Sequence, residues 1–594
     1  MRSLDFESSL ENFSFGPIRG DNGIWKFRTW APEKKKIELR IAGRSIPMEK
    51  DGEFWIAEVD EAMPGMQYGF LVEGKGPYPD PAGRFMHDGI SGLSTLSDFG
   101  CNIDEGSWKG IELGDMVLYE LHTGTFSPQG TYAGISEKIP HLKDIGINTV
   151  EIMPVGQFYG NRNWGYDGVY IYSPASCYGS PDSLRKLVKD LHSAGMGAIL
   201  DVVYNHSGPV GNYLDMFGPF HSEVHRTPWG NCFNLDGPYS NNVRKFILEN
   251  VIYWIRYFGF DGLRLDAVHG IVDLSPIHII REIGELGHLL EEKLDRSITI
   301  IAETDQNDSK ITGSTESCGY GIKAQWNDDF HHSLHTIMTG ERSSYYMDYG
   351  SIEDLYRSMK YGFDYDGRYS KFLKRDRGTK WIGRNPEKLV VYSQNHDQVG
   401  NRAFGDRLAA IAGDNRAMIG ASLAILSPYT PMVFMGEEMG SLEPFQFFVD
   451  TNDEKLREAV ATGRRNEFRE FAWAEDIPDP SHVSTFMNSR ISWHEAGDAR
   501  SAEFMNFYRN LINIRKKYVT PFRESADVVM KDSAIRVSYE SGLSFIANLG
   551  LTATEWPDVK GQPIIEIPMK GTSGIAGKSG NAVIRIDPGL AVLA

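Results

Sequence analysis

With 594 residues, 41% of them hydrophobic, the chain is too long for one ordinary core and not short of core material, so roughly two to four domains are expected. A formal net charge of −19 speaks against a nucleic-acid or anionic-membrane partner and fits a neutral substrate. The most apolar long stretch, Met418 to Met435, is interrupted by Ser427, Pro428 and Pro431, which reads as a buried helix and strand and excludes a membrane span.

The opening residues MRSLDFESSLENF are acidic and lack an apolar core, so no secretory signal is read and a cytoplasmic location is expected. Residues 1–100 then carry short runs of period two, WKFRTWAP, KIELRIAG, FWIAEVDE and YGFLVEG, broken by Pro32, Gly43, Gly52 and Pro64. That spacing predicts a small antiparallel β-sandwich. The Pro-rich GPYPDPAG at 76–83 reads as an ordered linker to the next domain. Four cysteines, Cys101, Cys177, Cys232 and Cys318, are too far apart for a zinc or thiol-exchange motif, so free buried thiols are expected.

From Asp115 strand and helix patterns alternate, which implies right-handed crossovers and a parallel sheet. Eight strands can be counted: MVLYEL from 116, NTVEIMP from 148, GAILDVV from 197, GLRLDAV from 262, ITIIAET from 298, KAQWN from 323, LVVYSQN from 389 and PMVFMG from 431. Eight closes a (β/α)8 barrel, placed over residues 101–524. Ser180 and Pro181 open a helix with a Leu184, Leu187, Val188, Leu191 stripe that ends at Gly195, and Val243, Phe246, Ile247, Val251, Trp254, Ile255 and Phe258 mark the buried face of another. Inserts after the third strand (204–240) and the eighth (437–500) are long enough to shape a substrate site. Period two returns over 525–594, predicting a C-terminal antiparallel β domain.

The chemistry sits where these strands end. The third supplies Asp201, Asn205 and His206, the fourth Arg264 and Asp266, the fifth Glu303, and the seventh His396 and Asp397, all on the face where barrel enzymes build their sites. Two carboxyls about 5 Å apart across a glycosidic bond would act as nucleophile and proton donor with retention of configuration. Arg264, two residues before Asp266, shares its face and would hold that carboxylate ionised. Glu303 ends an apolar strand, where burial beside other acids would keep it protonated. Asp397, His396 and His206 would bind sugar hydroxyls as the ring flattens.

In NWGYDG, Trp164 and Tyr166 are either sugar-stacking rings or loop anchors, with Tyr166 taken as substrate-binding. The stretch QWNDDFHH places Trp326, Asn327 and Asp328 as a lip beside Glu303, and Asp328 and Asp329 could also cap a helix. Arg402, downstream of Asp397, is counted with the substrate-binding groups. His331 and His335 have an i, i+4 spacing that could hold a metal on a helix, but no further spaced ligand accompanies them, and neither metal nor cofactor is expected.

DVVYNH, GLRLDAV, IIAETD and SQNHDQVG together resemble the four signature regions of the α-amylase family of glycoside hydrolases. The resemblance implies Asp266 as nucleophile, Glu303 as general acid/base and Asp397 as transition-state stabiliser, with Leu263 standing where many members carry an aromatic residue. It also likens the N-terminal sandwich to the immunoglobulin-like, starch-binding module of branching, debranching and trehalose-releasing members. PDPAGRFMHDGISG at 79–92, NRNWGYDGVY at 161–170, the stretch 325–350, SQNHDQVGNRAFGDRL at 393–408, PFQFFVD at 444–450 and GRRNEF at 463–468 are similar to the trehalose-releasing members in particular. The activity so implied is cleavage of the α-1,4 bond next to a terminal trehalose. A 1,4-α-glucan branching or debranching enzyme is the alternative, and a non-catalytic glucan-binding protein on the same barrel is the alternative of another class.

Overall fold

The computed structural model describes residues 13–20, 22–98, 106–381, 385–467, 477–493, 497–557, 563–569, 575–576 and 583–593. At the N-terminal end two antiparallel sheets face each other. One is ordered Gly16–Arg19, Trp25–Trp30, Phe54–Val59, Glu49–Asp51, and the other Arg44–Pro47, Ile37–Ile41, Gln67–Val72, Lys75–Tyr78. Period two explains the pairing: Ile37, Leu39 and Ile41 are buried while Glu38 and Arg40 are half-exposed. Phe27 of the first sheet meets Tyr68 of the second edge-on, ring centres 5.0 Å apart. Of the stretch read as a linker, 76–78 form part of the edge strand Lys75–Tyr78 of the second sheet, and Asp80 is buried against that sheet, accepting from the Tyr68 hydroxyl and the Ala82 amide, both at 2.9 Å, so this stretch belongs to the sandwich. The sandwich seats on the barrel's helical layer through Ser14, whose amide donates to both carboxylate oxygens of Glu249 at 2.9 Å.

All eight expected barrel strands form: Leu118–Leu121, Thr149–Ile152, Gly197–Val202, Gly262–Leu265, Thr299–Ala302, Ala324–Trp326, Leu389–Tyr392 and Thr430–Phe434. Every neighbouring pair is parallel, and the barrel closes where Leu118 pairs with Met432. The strands are buried throughout, because helices cover the outside and side chains fill the inside. Leu118, Ile199, Ile301, Ala324, Val390 and Met432 form one interior apolar cluster. Two residues further along five of these strands, on the same inward face, stand Glu120, Asp201, Glu303, Trp326 and Tyr392. An apolar floor thus carries a layer of ionisable and aromatic groups at the C-terminal mouth.

The helices follow their signals. The Ser180 side chain accepts from Ser183 N at the start of Pro181–Ser193, and Leu184, Leu187, Val188 and Leu191 face the core. Helix Ser240–Ile252 runs on into a wider turn, Tyr253–Tyr257, with its expected stripe buried. The third-strand insert contains a hairpin, His221–Arg226 with Asn231–Phe233, and the eighth-strand insert contains helices Glu454–Glu467 and Val483–Asn488. A third excursion, residues 340–388, lies between the sixth and seventh strands and holds helix Ile352–Tyr361 and hairpin Arg368–Ser370 with Arg375–Arg377.

The chain closes in an antiparallel sheet ordered Asp527–Lys531, Ala534–Ser538, Ser544–Asn548, Gly589–Leu593, Pro563–Pro568, beside a smaller three-stranded one. Cys177 is half-buried and Cys232 buried, but Cys318 is exposed on a polar loop, so the expectation of buried thiols fails there. Cys101 lies outside the described residues. No described helix is long and apolar enough to cross a membrane.

Candidate active site

At the mouth of the barrel a cavity of about 560 Å3 is lined by Asp266, Glu303, Asp397 and Asp328, together with Tyr166, His206 and His396. Arg264 organises it from below. Its side chain is 1% exposed and lies over the Trp326 ring at 4.2 Å. Its Nη1 donates to both oxygens of Asp201 (3.0 and 2.9 Å) and to Asp266 Oδ1 (2.7 Å), while Nη2 approaches Glu303 Oε2 at 3.6 Å. Asn205 Nδ2 donates to the other oxygen of Asp266 at 2.8 Å. Both Asp266 oxygens therefore accept from fixed donors.

Glu303 receives one short bond, from the Ala267 amide to Oε2 at 2.6 Å, made possible by the left-handed turn at Ala267 (φ 37°). Burial pushes its carboxyl well above the ordinary range; Arg264 opposes this, and the charges of Asp266, Asp328 and Asp397 add to it. Two carboxyls that approach one guanidinium thus stand in opposed surroundings, Asp266 held by side-chain donors on both oxygens and Glu303 buried among acids that favour its neutral form. Asp397 is the second residue of the short helix His396–Gly400, and its Oδ1 accepts from Asn401 Nδ2 at 2.6 Å.

Tyr166 joins the third and seventh strand ends: its hydroxyl donates to Asp201 Oδ2 at 2.6 Å and lies 2.8 Å from His396 Nε2. Burial outweighs Arg264 at Asp201 and lifts its pKa to about 7. Asp328 is likewise raised to about 7 by burial, against the hydrogen bond it accepts from the Tyr392 hydroxyl. Burial depresses His206.

Five of the residues expected to touch substrate stand outside the cavity lining. Asp201 and Arg264 act on the lining from behind. Trp326 is 2% exposed and packed inside the barrel against Arg264 and Tyr392, so its face is covered and cannot stack on a sugar. Asn327 is fully buried: Oδ1 accepts from Phe330 N and Nδ2 donates to Gly362 O at 2.7 Å, which makes it the cap of helix Asp328–Thr339. The capping expected of Asp328 and Asp329 therefore falls one residue earlier, and Asp329 instead anchors the excursion 340–388 by accepting from Tyr349, Asp364 N and Tyr365 N. Arg402 clamps Glu341 with both terminal nitrogens, at 2.6 and 2.8 Å. The lip read from QWNDDFHH is corrected to Asp328 and His332. His331 and His335 stack on each other at 5.5 Å and His335 also on Tyr346 at 4.5 Å, so these rings are spent on packing. Trp164 serves as an anchor too, stacked on Phe445 and donating to Gln446 O at 2.9 Å, while one edge reaches the cavity.

The sequence did not single out several lining groups: Trp229 on the third-strand hairpin, Tyr345, Asp348, Phe372 and Arg377 on the excursion 340–388, and Arg464 on helix Glu454–Glu467. Nor did it mark Glu120, whose carboxylate binds His396 through the ring Nδ1 (2.5 Å) and the backbone amide (2.8 Å). A carboxylate inside the apolar strand MVLYEL was the signal available.

The family model for the α-amylase catalytic domain matches residues 94–218 and 238–522. A malto-oligosyltrehalose trehalohydrolase of Saccharolobus solfataricus is 45% identical over 509 residues, 85% of this chain and 87% of that protein. One from a Rhizobium species is 40% identical over 525 residues, 86% of this chain and 87% of its own. Among solved structures, a putative α-amylase from Salmonella typhimurium superposes with a TM-score of 0.90 at 35% identity, covering 98% of this chain and 99% of that one.

Proposed function

The chain belongs to the α-amylase family, and from its likeness to the malto-oligosyltrehalose trehalohydrolases we propose that it hydrolyses the α-1,4 bond joining a maltooligosaccharide to a terminal trehalose. The observation that carries the mechanism is the opposed environment of Asp266 and Glu303 about Arg264. Asp266 attacks the anomeric carbon while Glu303 passes its proton to the glycosidic oxygen, and trehalose leaves with that oxygen as its hydroxyl. Glu303, now a carboxylate, takes a proton from water; the water oxygen attacks the anomeric carbon, and the bond to Asp266 breaks. Two inversions retain the α configuration. Asp397 faces the flattened, positively charged ring between these steps. Each bond broken is matched by one formed, and the three acids suffice without a cofactor.

Among the lining groups, we assign recognition of the trehalose end to Asp328, His332, Tyr345, Arg377 and Arg464. Support comes from their place: they reach the cavity from segments other than the acid-bearing strand ends, with polar groups suited to sugar hydroxyls and a ring suited to a sugar face. Incubation with maltooligosyltrehalose and with plain maltooligosaccharide, followed by product identification, tests the reading. Free trehalose with an α-configured new reducing end is expected; new or lost α-1,6 branches, or an inverted product, would overturn it.

A further inference from the structure

Behind the three acids runs a continuous chain of polar contacts that begins at the first strand. Glu120 Oε1 meets His396 Nδ1 at 2.5 Å, His396 Nε2 meets the Tyr166 hydroxyl at 2.8 Å, and that hydroxyl meets Asp201 Oδ2 at 2.6 Å. Arg264 then links Asp201 to Asp266. The direction of the chain follows from donor and acceptor counts. Nδ1 faces a Glu120 carboxyl oxygen and donates to it; Tyr166 has a single proton, and spending it on Asp201 leaves its oxygen to accept from Nε2. The imidazole then carries two protons and a positive charge.

We propose that Glu120 is a positioning residue for the hydrolysis proposed above, fixing His396 as an imidazolium whose Nε2–H points to Tyr166 at the cavity wall. The second carboxylate oxygen takes the His396 amide at 2.8 Å, so Glu120 also holds the start of the helix that carries Asp397. Glu120 is 1% exposed and has no solvent to share its charge with. The carboxyl of its register neighbour on the second strand, Glu151, makes no hydrogen bond among the described residues, and burial, followed by the charge of Glu120, keeps it well above the ordinary range.

The groups facing His396 are Glu120, His122 just after the first strand, Tyr166, Asp201, Arg264 and its own neighbour Asp397. Burial lowers the His396 pKa, but the charge and hydrogen bond of Glu120, with Asp397, outweigh it and leave the ring above its ordinary value. Since the charged form is held by Glu120, removing that charge moves loss of the ring proton to lower pH.

The test is Glu120→Gln, which keeps size and one acceptor, beside Glu120→Asp, which keeps the charge. Glu120→Gln is expected to lower kcat roughly 10- to 100-fold with a much smaller change in KM, as loss of an outer orienting partner does. It should also bring the basic limb of the kcat pH profile down by about one unit. Glu120→Asp should retain the wild-type limb. Independently of which sugar is released, 15N-histidine spectra of the substrate-free protein should show both nitrogens of one buried ring protonated at pH 7 in the wild type and in Glu120→Asp, and one nitrogen deprotonated in Glu120→Gln. Unchanged imidazole signals with an unmoved pH limb in Glu120→Gln would overturn the proposal, as would a shift of the same size in Glu120→Asp. If Glu120→Gln does not fold, the wild-type and Glu120→Asp spectra decide alone, a neutral ring in either counting against it. Absence of trehalose release with the expected spectra would refute the substrate and leave the positioning intact.

Discussion

The ends of the fourth and fifth strands present the same functional group in opposite settings. Asp266 is ringed by donors: Arg264 on one oxygen and Asn205 on the other. Glu303 has one backbone amide, a more distant guanidinium, and three acids around it. At Glu303, burial and the nearby acids outweigh the guanidinium and push the carboxyl well above its ordinary range, whereas Asp266 spends both oxygens on donors. The largest effect should come from exchanging each acid for its amide. Asp266→Asn is expected to lose about 10^4-fold or more in kcat on every substrate, because the nucleophile proposed above is removed. Glu303→Gln should lose as much on the natural glycoside but far less in the first step on a glycosyl fluoride, whose leaving group needs no proton. Rates for both variants on both substrates decide it: equal losses across all four combinations would erase the distinction between the two strand ends.

A second contrast separates the barrel interior from its rim. Arg264 lies over the Trp326 ring at 4.2 Å inside the barrel, whereas Phe372 and Trp229 line the same cavity while 41% and 49% exposed. Trp326→Ala opens a cavity beneath the guanidinium. A stability loss of about 3–5 kcal/mol is expected, with a drop in kcat shared by trehalose-ended and plain substrates alike. Denaturant unfolding and the ratio of kcat/KM for the two substrates measure it. A changed ratio at unchanged stability would restore Trp326 to the substrate-binding rim.

What could be read from residue order divides along the same line. Strand number and order, the two flanking β regions and the helix stripes were legible because period two and period 3.6 are local properties. The acids at the strand ends were legible because a strand end fixes which face a residue joins. Legibility stopped where function depends on which of two buried positions meets the cavity. Trp326 and Asp328 are two residues apart, and nothing in QWNDDFHH says that Asn327 turns the chain, leaving the tryptophan below and the acid at the wall. Tyr345, Phe372 and Arg377 were missed for a different reason: the excursion 340–388 is anchored by long-range bonds to Asp329, and no short-range period marks a loop folded back in that way.

Asp328 offers the finest test, because it stands at the junction of interior and rim. Its folded-state pKa of about 7 lies above the ordinary 3.8, with burial the main cause. Between those values the unfolded chain has released the proton that the folded chain retains, so this group's contribution to stability falls as pH rises from about 4 to about 7 and is flat above. Asp328→Asn keeps an oxygen to accept from Tyr392 and removes the titration. The variant should therefore gain on the wild type by about 1–3 kcal/mol between pH 5 and pH 8, read from denaturant midpoints at fixed salt. Asp201, raised for the same reason, stays in both proteins and cancels in the difference. A gap that is constant with pH would mean that Asp328 is ionised in the folded protein throughout, and would separate it from Glu303, whose carboxyl burial pushes up.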